Sequence, residues 1–254
     1  MDISAAFAYL LTGDFAFLCF AALLAGMIRG FSGFGTALVF IPLSAIVLDP
    51  VSAVATIVLM DLLGPVPVLW RIKGDIEARD LSRLVIGAAF AVPLGLFALT
   101  FMPAAVFRIT ASSLSLVMLA ILLAGWRLRQ SLPARGVIAT GAASGFLGGV
   151  AGIPGPPVIF AYFASTKPAR VIRANISAFL YCFDWLVVVL LALSAQLTPA
   201  LVVSGLALSV PNMVGNLLGA ALFRPEQERV FRAIAYTLVF AAALAGLPLW
   251  NWGG

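Results

Sequence analysis

The sequence predicts an all-α, polytopic helical membrane protein made of two inverted repeats. Three observations predict this fold: the composition, the lengths of the apolar segments and an internal duplication. Of the 254 residues, 63% are apolar and 10% are charged, and the mean hydropathy is +1.14, whereas soluble domains carry about 25% charged residues. This composition excludes a water-soluble enzyme, and the long continuous apolar runs lack the alternation of an outer-membrane β-barrel.

Ten apolar segments follow one another along the chain. Six approach or exceed the ~20 residues that a membrane-spanning helix needs, namely 50–70, 84–102, 104–125, 174–194, 199–223 and 230–252. The other four are shorter and form two adjacent pairs, 15–29 with 36–48 and 137–151 with 157–164. A Gly-rich or Gly/Pro-rich break separates the members of each pair. Such breaks predict broken or re-entrant helices, because only protein or a water-filled cavity can satisfy unwound backbone at membrane depth.

The basic residues predict the orientation. Thirteen of the 15 lie in four loops that alternating crossings place on one side of the membrane: Arg71, Lys73, Arg79, Arg83, Arg127, Arg129, Arg135, Lys167, Arg170, Arg173, Arg224, Arg229 and Arg232. The positive-inside rule makes that side the cytoplasm, so both termini are expected outside. The sequence pI of about 9.8 therefore reports orientation in the lipid bilayer, and no nucleic-acid partner is expected.

An internal duplication divides the chain into two halves. The pattern Gly26-x-x-x-Gly30-Phe31-x-Gly33 recurs 115 residues later, and two further anchors recur at offsets of 118 and 124 residues. We expect a first repeat over 1–125, a cytoplasmic linker over 126–136 and a second repeat over 137–254. Each repeat has five segments, an odd number, so the second repeat enters the membrane from the opposite side. Inverted repeats with interrupted helices are typical of secondary transporters, whose substrate site lies at the repeat interface.

The two breaks predict an anion site. A short helix begins after each break, and its free N–H groups and positive dipole end attract anions. Thr36 is expected to cap the first of these helices, and proline suits the first turn of the second. The candidate binding residues at the breaks are Arg29, Gly30, Ser32, Gly33, Gly35, Thr36, Gly148, Gly152, Pro154, Gly155 and Pro156. The glycines spaced four apart also fit small-residue packing between helices, an alternative that the sequence leaves open.

Other polar residues inside the apolar segments are functional candidates because they are costly in hydrocarbon. Asp61 and Asp184 lie in corresponding segments and are candidates for proton coupling together with Tyr181; alternatively, the aspartates neutralise Arg29. Three asparagines, namely Asn175, Asn212 and Asn216, are candidates for a polar substrate path or for interhelical hydrogen bonds. Pro93 and Pro211 are expected to interrupt corresponding helices, as kinks or as gating hinges.

Several chemistries are not expected. The chain has no histidine and two cysteines within apolar runs, so neither a metal site nor a cofactor is predicted. An intramembrane aspartyl protease would need two facing aspartates, which Asp61 and Asp184 superficially supply, but their surroundings lack the Tyr-Asp and Gly-x-Gly-Asp signatures of that class. The sequence also leaves open an anion channel or a cation carrier in place of an anion carrier.

Three features of the sequence carry a family resemblance. They are the Gly-rich apex Gly30-Phe31-Ser32-Gly33-Phe34-Gly35 with Pro42, the related apex from Gly145 to Pro157, and the duplication over 15–252. Together they resemble the sulfite exporter TauE/SafE family, also called the toluenesulfonate uptake permease family. The resemblance implies a multi-pass transporter of the bacterial inner membrane for small sulfur-containing anions such as sulfite, sulfoacetate or other organosulfonates. Export by alternating access, with protons as a candidate coupling ion, is the expected function. Import of a different small organic anion is the alternative, and the chain is not expected to be an enzyme.

Overall fold

The computed structural model describes residues 10, 12–32, 35–124, 133–163, 167–222 and 228–249. Within these residues the fold is helical and contains no strands. In chain order the helices are α1 (Gly13–Ser32), α2 (Thr36–Ser44), α3 (Pro50–Asp61), α4 (Val66–Ile72), α5 (Ala78–Thr100), α6 (Ala104–Ala124), α7 (Ala134–Ala151), α8 (Gly155–Phe163), α9 (Ala169–Leu193), α10 (Pro199–Ala207), α11 (Ser209–Leu222) and α12 (Glu228–Gly246), with a 3₁₀ turn at Lys73–Asp75 after α4.

Six helical stretches of the described residues are long and apolar enough to cross a membrane. They are Gly13–Gly30, Ala78–Thr100, Ala104–Ala124, Ala169–Leu193, Pro199–Leu222 and Arg229–Gly246. The number matches the prediction, but the membership does not. The first segment was expected to be too short, whereas α1 continues through Gly30 to reach 20 residues.

The segment 50–70 is not one spanning helix, which corrects the prediction. Helix α3 ends at Asp61, and the chain turns through residues 62–65 before α4 begins. Gly64 and Pro65 explain the turn, because proline disfavours a helical conformation in the residue before it and has no N–H to donate.

The two prolines that were expected to interrupt corresponding helices behave differently. Helix α5 runs unbroken through Pro93, so the expected interruption is wrong there, while a kink or a gating hinge at Pro93 stays a prediction. In the second half, α10 ends at Ala207, four residues before Pro211. A proline ring clashes with the carbonyl four residues earlier, which accounts for the break at Leu208.

Two helical hairpins form the centre of the molecule. In the first, α2 packs against α1; in the second, α8 packs against α7. Helix α2 is almost wholly buried, and every residue of α3 from Ala53 to Met60 is buried. The longer helices surround this centre and turn large apolar side chains outward, such as Phe90 (77% exposed) and Leu193 (80%), as expected of a lipid-facing surface.

Two glycine seams hold the long helices together. In the first seam, Gly26 and Gly30 of α1 pack on the backbone of α11 around Gly215 and Gly219; in the second, glycines of α5 and α7 meet in the same way, namely Gly87, Gly95, Gly141, Gly145 and Gly149. A Cβ at Gly145 would lie 2.7 Å from the Cα of Ala88, and one at Gly30 would lie 2.7 Å from the amide of Ala220. These glycines therefore let the helix backbones approach closely, as small residues do in membranes. Each seam joins the first helix of one sequence half to the fourth apolar segment of the other.

Candidate functional site

A cavity of about 80 Å³ lies where the apices of the two hairpins meet. We call residues 29–36 the first apex and residues 152–157 the second apex. The first contributes Arg29, Gly35 and Thr36; the second contributes Gly152, Pro154, Gly155 and Pro156. Helices α3 and α9 form the side walls and bring Asp61, Tyr181 and Asp184 to the same cavity. Ten of the residues predicted for binding or proton coupling thus lie together.

The strongest polar contact in the cavity joins two of these residues. Nη1 of Arg29 lies 3.0 Å from Oδ2 of Asp61, and both side chains are largely buried, with exposed fractions of 20% and 15%. The other carboxylate oxygen, Oδ1 of Asp61, is buried and has no hydrogen-bond partner among the described residues. Removing one member of such a pair leaves an uncompensated buried charge, which costs about 3–5 kcal/mol in a fully buried case.

Asp184 lies in the same cavity without a comparable partner. The residue is 9% exposed, and within the described residues it makes neither an ion pair nor a hydrogen bond. On the same helix, Tyr181 packs edge-on against Trp185, with ring centroids 6.4 Å apart. Ser177 also lines the cavity. The sequence reasoning missed Ser177, although its spacing of four and seven residues from Tyr181 and Asp184 places all three on one helical face.

The first apex presents hydrogen-bond donors. Gly35 adopts a left-handed conformation with φ of 100° and is the N-cap residue of α2, without a side-chain cap. The prediction that Thr36 caps this helix is therefore wrong: Thr36 is the first helical residue, and it lines the cavity. The amide of Leu38 bonds to the carbonyl of Gly35 at 3.1 Å. The amides of Thr36 and Ala37 lie in the first turn, where the helix itself supplies no acceptor.

The second apex is poorer in donors. Gly152 also has a left-handed φ, of 67°, and its amide bonds to the carbonyl of Gly148 at 2.8 Å. Helix α8 begins at Gly155, so Pro156 and Pro157 occupy its first turn as predicted. Two of its four terminal positions consequently have no N–H group, and this helix end offers an anion fewer hydrogen bonds than the sequence pattern suggested.

Several predicted binding residues are not among the described residues that line the cavity. Gly30 and Asn216 face one another in the α1–α11 seam, and Nδ2 of Asn212 donates to the carbonyl of Ala22 at 3.4 Å. Gly148 lies under the ring of Phe183, where a Cβ would overlap the ring, so it shapes the wall indirectly. The side chain of Ser32, and Gly33 altogether, lie outside what the structure describes.

Asn175 belongs to a polar cluster at the start of α9. Its Nδ2 donates to the hydroxyl of Tyr162 at 2.9 Å, and its Oδ1 accepts from the amide of Glu77 at 2.8 Å. Lys167 binds both Glu77 and Asp80. We call these contacts the α5–α9 cluster. They join the chain before α5, in the first sequence half, to the start of α9, in the second.

Lys167 lies outside the spanning helices, and its pKa is raised. Partial burial alone would lower its pKa, but hydrogen bonds from its ammonium group to Asp80 and Glu77 outweigh burial, and the pKa lies above its ordinary value. The ammonium group is therefore charged throughout the neutral range.

The arrangement presents several hydrogen-bond donors to a small ligand. Within the described residues no group of three or more acidic or cysteine side chains is placed to hold a metal ion. The donors of Arg29 and the first apex face a cavity whose remaining walls are largely apolar, including Ile57, Ile159 and Phe183. Pockets with a few convergent polar groups on apolar walls are typical ligand sites.

The comparison with family models decides the class of protein. The model described as Sulfite exporter TauE/SafE matches residues 18–246, which is nearly the whole chain. The protein belongs to the TauE/SafE family. It is therefore a multi-pass membrane transport protein rather than an enzyme, in agreement with the six apolar helical stretches.

Neither the curated proteins nor the solved structures provide a match to this TauE/SafE chain. The family assignment confirms the resemblance that the Gly-rich apices indicated. Export of a small anion of the sulfite or sulfonate type is what the family suggests for the protein.

Proposed function

We propose that this protein is a secondary transporter that exports small sulfur-containing anions, such as sulfite, sulfoacetate or other organosulfonates, across the bacterial inner membrane. The observation that carries the proposal is the meeting of Arg29 and the N-terminal ends of α2 and α8 in one cavity. A guanidinium group binds sulfonate and sulfite oxygens as it binds carboxylate and phosphate, through several directed N–H donors. Free amides at the start of α2 add further donors.

Alternating access between two inverted repeats is the mechanism we propose. The two glycine seams support this relation because they are reciprocal: α1 packs on α11, and α7 packs on α5. A pseudo-two-fold axis that exchanges the halves would exchange these two contacts. In this arrangement both termini lie outside, and the α5–α9 cluster lies on the cytoplasmic side.

The geometry favours transport over proteolysis. An aspartyl protease needs two carboxyl groups that share a proton around one water. In this cavity Asp61 is instead bound to Arg29, so the two aspartates differ in charge partner and cannot act as an equivalent pair.

The test is flux of labelled sulfite and sulfoacetate in proteoliposomes. We expect saturable flux, which distinguishes a carrier from a channel, and a response to an imposed pH gradient if protons are coupled. A Gly155→Leu variant should insert normally and lose transport, because the new side chain enters the cavity. Wild-type flux in this variant would remove the second apex from the site, and an absence of flux for both anions in folded wild-type protein would contradict the proposal.

A further inference from the structure

The central cavity contains three side chains that carry formal charge at neutral pH when solvated. They are Arg29 from α1, Asp61 from α3 and Asp184 from α9. When both carboxyl groups are ionised, the cavity has one negative charge more than it has positive charge. An anion substrate adds to this excess, so the charge of the empty site opposes the ligand that the family assignment implies.

Asp61 is the compensated carboxylate. Its Oδ2 lies 3.0 Å from the guanidinium of Arg29, and both groups are mostly shielded from solvent. A paired charge of this kind stays ionised, because protonation would leave Arg29 buried without a counter-ion. Asp61 therefore sets the charge and position of Arg29 and is a positioning residue in this site.

Asp184 is the uncompensated carboxylate. It is 9% exposed, lines the cavity and has no ion pair or hydrogen bond within the part of the chain that the structure describes. The charged groups whose field reaches it are Arg29 of α1 and Asp61 of α3. On α9 itself, Tyr181 and Cys182 are the neighbouring titratable side chains.

The other helices packed on α9 place their titratable groups farther along it. Tyr162 of α8 and Asp80 of α5 belong to the α5–α9 cluster around Lys167 and Asn175. Asn175 lies nine residues, or about two and a half helical turns, before Asp184. On the 3₁₀ turn Lys73–Asp75, Asp75 pairs with Arg170, still nearer the start of α9. Helix α4 also packs on α9, and its Arg71 is exposed. Among the described residues, the charges that act on Asp184 are those of Arg29 and Asp61.

We propose that Asp184 binds one proton for each anion that the cavity binds, while Asp61 remains ionised as the counter-ion of Arg29. The proton removes the excess negative charge, so the anion and the proton each favour binding of the other, and this coupling is reciprocal. The proposal rests on the proposed function and narrows its coupling candidates from three residues to one.

Two consequences follow for transport. The proton and the anion move in the same direction. The net direction of transport therefore depends on the product of the proton and anion concentrations on each side of the membrane. Outward transport needs an internal anion concentration high enough to make that product larger inside. For a monoanion the transported pair is electroneutral, so the membrane potential neither drives nor opposes it. One proton per anion allows an imposed gradient of one pH unit to sustain about tenfold accumulation.

The experiment uses full-length protein in proteoliposomes with labelled methanesulfonate and, in parallel, labelled sulfite. Methanesulfonate is a monoanion throughout the neutral range, so its own charge does not change with pH. Wild-type protein should accumulate the anion about tenfold when the outside is one pH unit more acidic. Asp184→Asn should lose this accumulation, and its anion exchange at equal internal and external pH should no longer vary with pH, since the amide cannot bind a proton in this range.

Tyr181→Phe is the matched control, because it removes the other titratable side chain of α9 that lines the cavity. We expect it to keep the accumulation of about tenfold, since the ratio reached at equilibrium depends on the number of coupled protons and not on the transport rate. Gradient-driven accumulation in Asp184→Asn, or its loss in Tyr181→Phe, would overturn the proposal.

A measurement on wild-type protein avoids dependence on variant folding. A pH-sensitive dye inside the vesicles should record one proton entering with each methanesulfonate ion, and anion entry without protons would overturn the assignment. If neither anion enters at any pH, the proposed function itself fails, which is distinguishable from uncoupled anion flux.

Discussion

The two apices of the central cavity differ in what they offer to an anion. The first brings the guanidinium of Arg29, the hydroxyl group of Thr36 and the first-turn amides of α2. The second brings two prolines in its first turn, no charged side chain and a glycine with φ of 67°. Each apex leads into a short helix, α2 or α8, and has a glycine with a left-handed φ, at Gly35 and Gly152, while the side chains and amides that it offers differ. We infer that the first apex holds the anion and the second forms the opposing wall.

The largest expected effect comes from removing the charge of the first apex. Arg29→Gln should abolish measurable transport and destabilise the protein by about 3 kcal/mol, because Asp61 would remain buried without its partner. Flux assays and thermal unfolding in detergent measure the two effects. The double variant R29Q/D61N should recover most of the stability and none of the transport. Wild-type flux in either variant would place the anion away from Arg29.

The next effect distinguishes backbone requirements within the second apex. Gly152→Ala should destabilise the protein by about 2 kcal/mol, because a Cβ there is disfavoured by the positive φ and would lie 2.6 Å from Cδ1 of Ile41. Gly155→Ala is the matched control, since its nearest atom, Cδ1 of Ile159, lies 3.4 Å away. Equal melting temperatures for the two variants would show that the turn tolerates a side chain at Gly152.

A smaller effect separates the apices by hydrogen bonding. Thr36→Val keeps the shape of the side chain and removes its hydroxyl group, and we expect KM for the transported anion to rise about 3–10-fold. Pro156→Ala changes the second apex without removing a donor, so KM should change by less than about twofold. Initial rates over a range of anion concentrations give both values. The reverse order of effects would exchange the roles of the two apices.

The smallest effect lies outside the cavity, in the α5–α9 cluster. Lys167→Met should lower the melting temperature by a few degrees at neutral pH. Arg170→Met is the control and should lower it by less. Arg170 is 76% exposed and lies 3.5 Å from Asp75, and an exposed ion pair of this kind contributes little to stability. The raised pKa of Lys167 gives the pH dependence. Its stabilisation is present below the ordinary lysine value of about 10.4 and is lost as pH rises through the higher folded value. A constant difference between wild type and Lys167→Met up to strongly alkaline pH would contradict this origin.

The fold class was predictable because it depends on composition and segment length, which are additive along the chain. The helix boundaries were less predictable where proline or glycine lies within an apolar segment, because these residues favour a break in the helix while the apolar composition favours a continuous span. Pro65 breaks its segment and Pro93 does not, although both segments are predominantly apolar. The outcome depends on whether the surrounding helices satisfy the freed carbonyl, which is a property of the assembled molecule.

The site was predictable in part for a similar reason. The Gly/Pro breaks and the intramembrane aspartates stand out in sequence because both are costly in hydrocarbon. The pairing of Asp61 rather than Asp184 with Arg29 depends on how α1, α3 and α9 cross, which no local pattern encodes. Gly30 and Gly148 belong to the same glycine pattern as the apices, but neither lines the cavity. Gly30 packs on the backbone of α11, and Gly148 makes room for the ring of Phe183.

The two seams also differ in when they can form during synthesis. Helices α5 and α7 are separated in sequence only by α6 and residues 125–133, so their seam is available once the middle of the chain has entered the membrane. Helix α1 must wait for α11, and the hydrogen bond from Asn212 to Ala22 spans 190 residues. Until then the groove of α1 has only lipid to fill it, and long-range closure of this kind is slow. The first hairpin is therefore inserted early but completes its packing last. If a ribosome stalls before α11 is made, this hairpin is the part of the molecule most accessible to proteolysis and quality control.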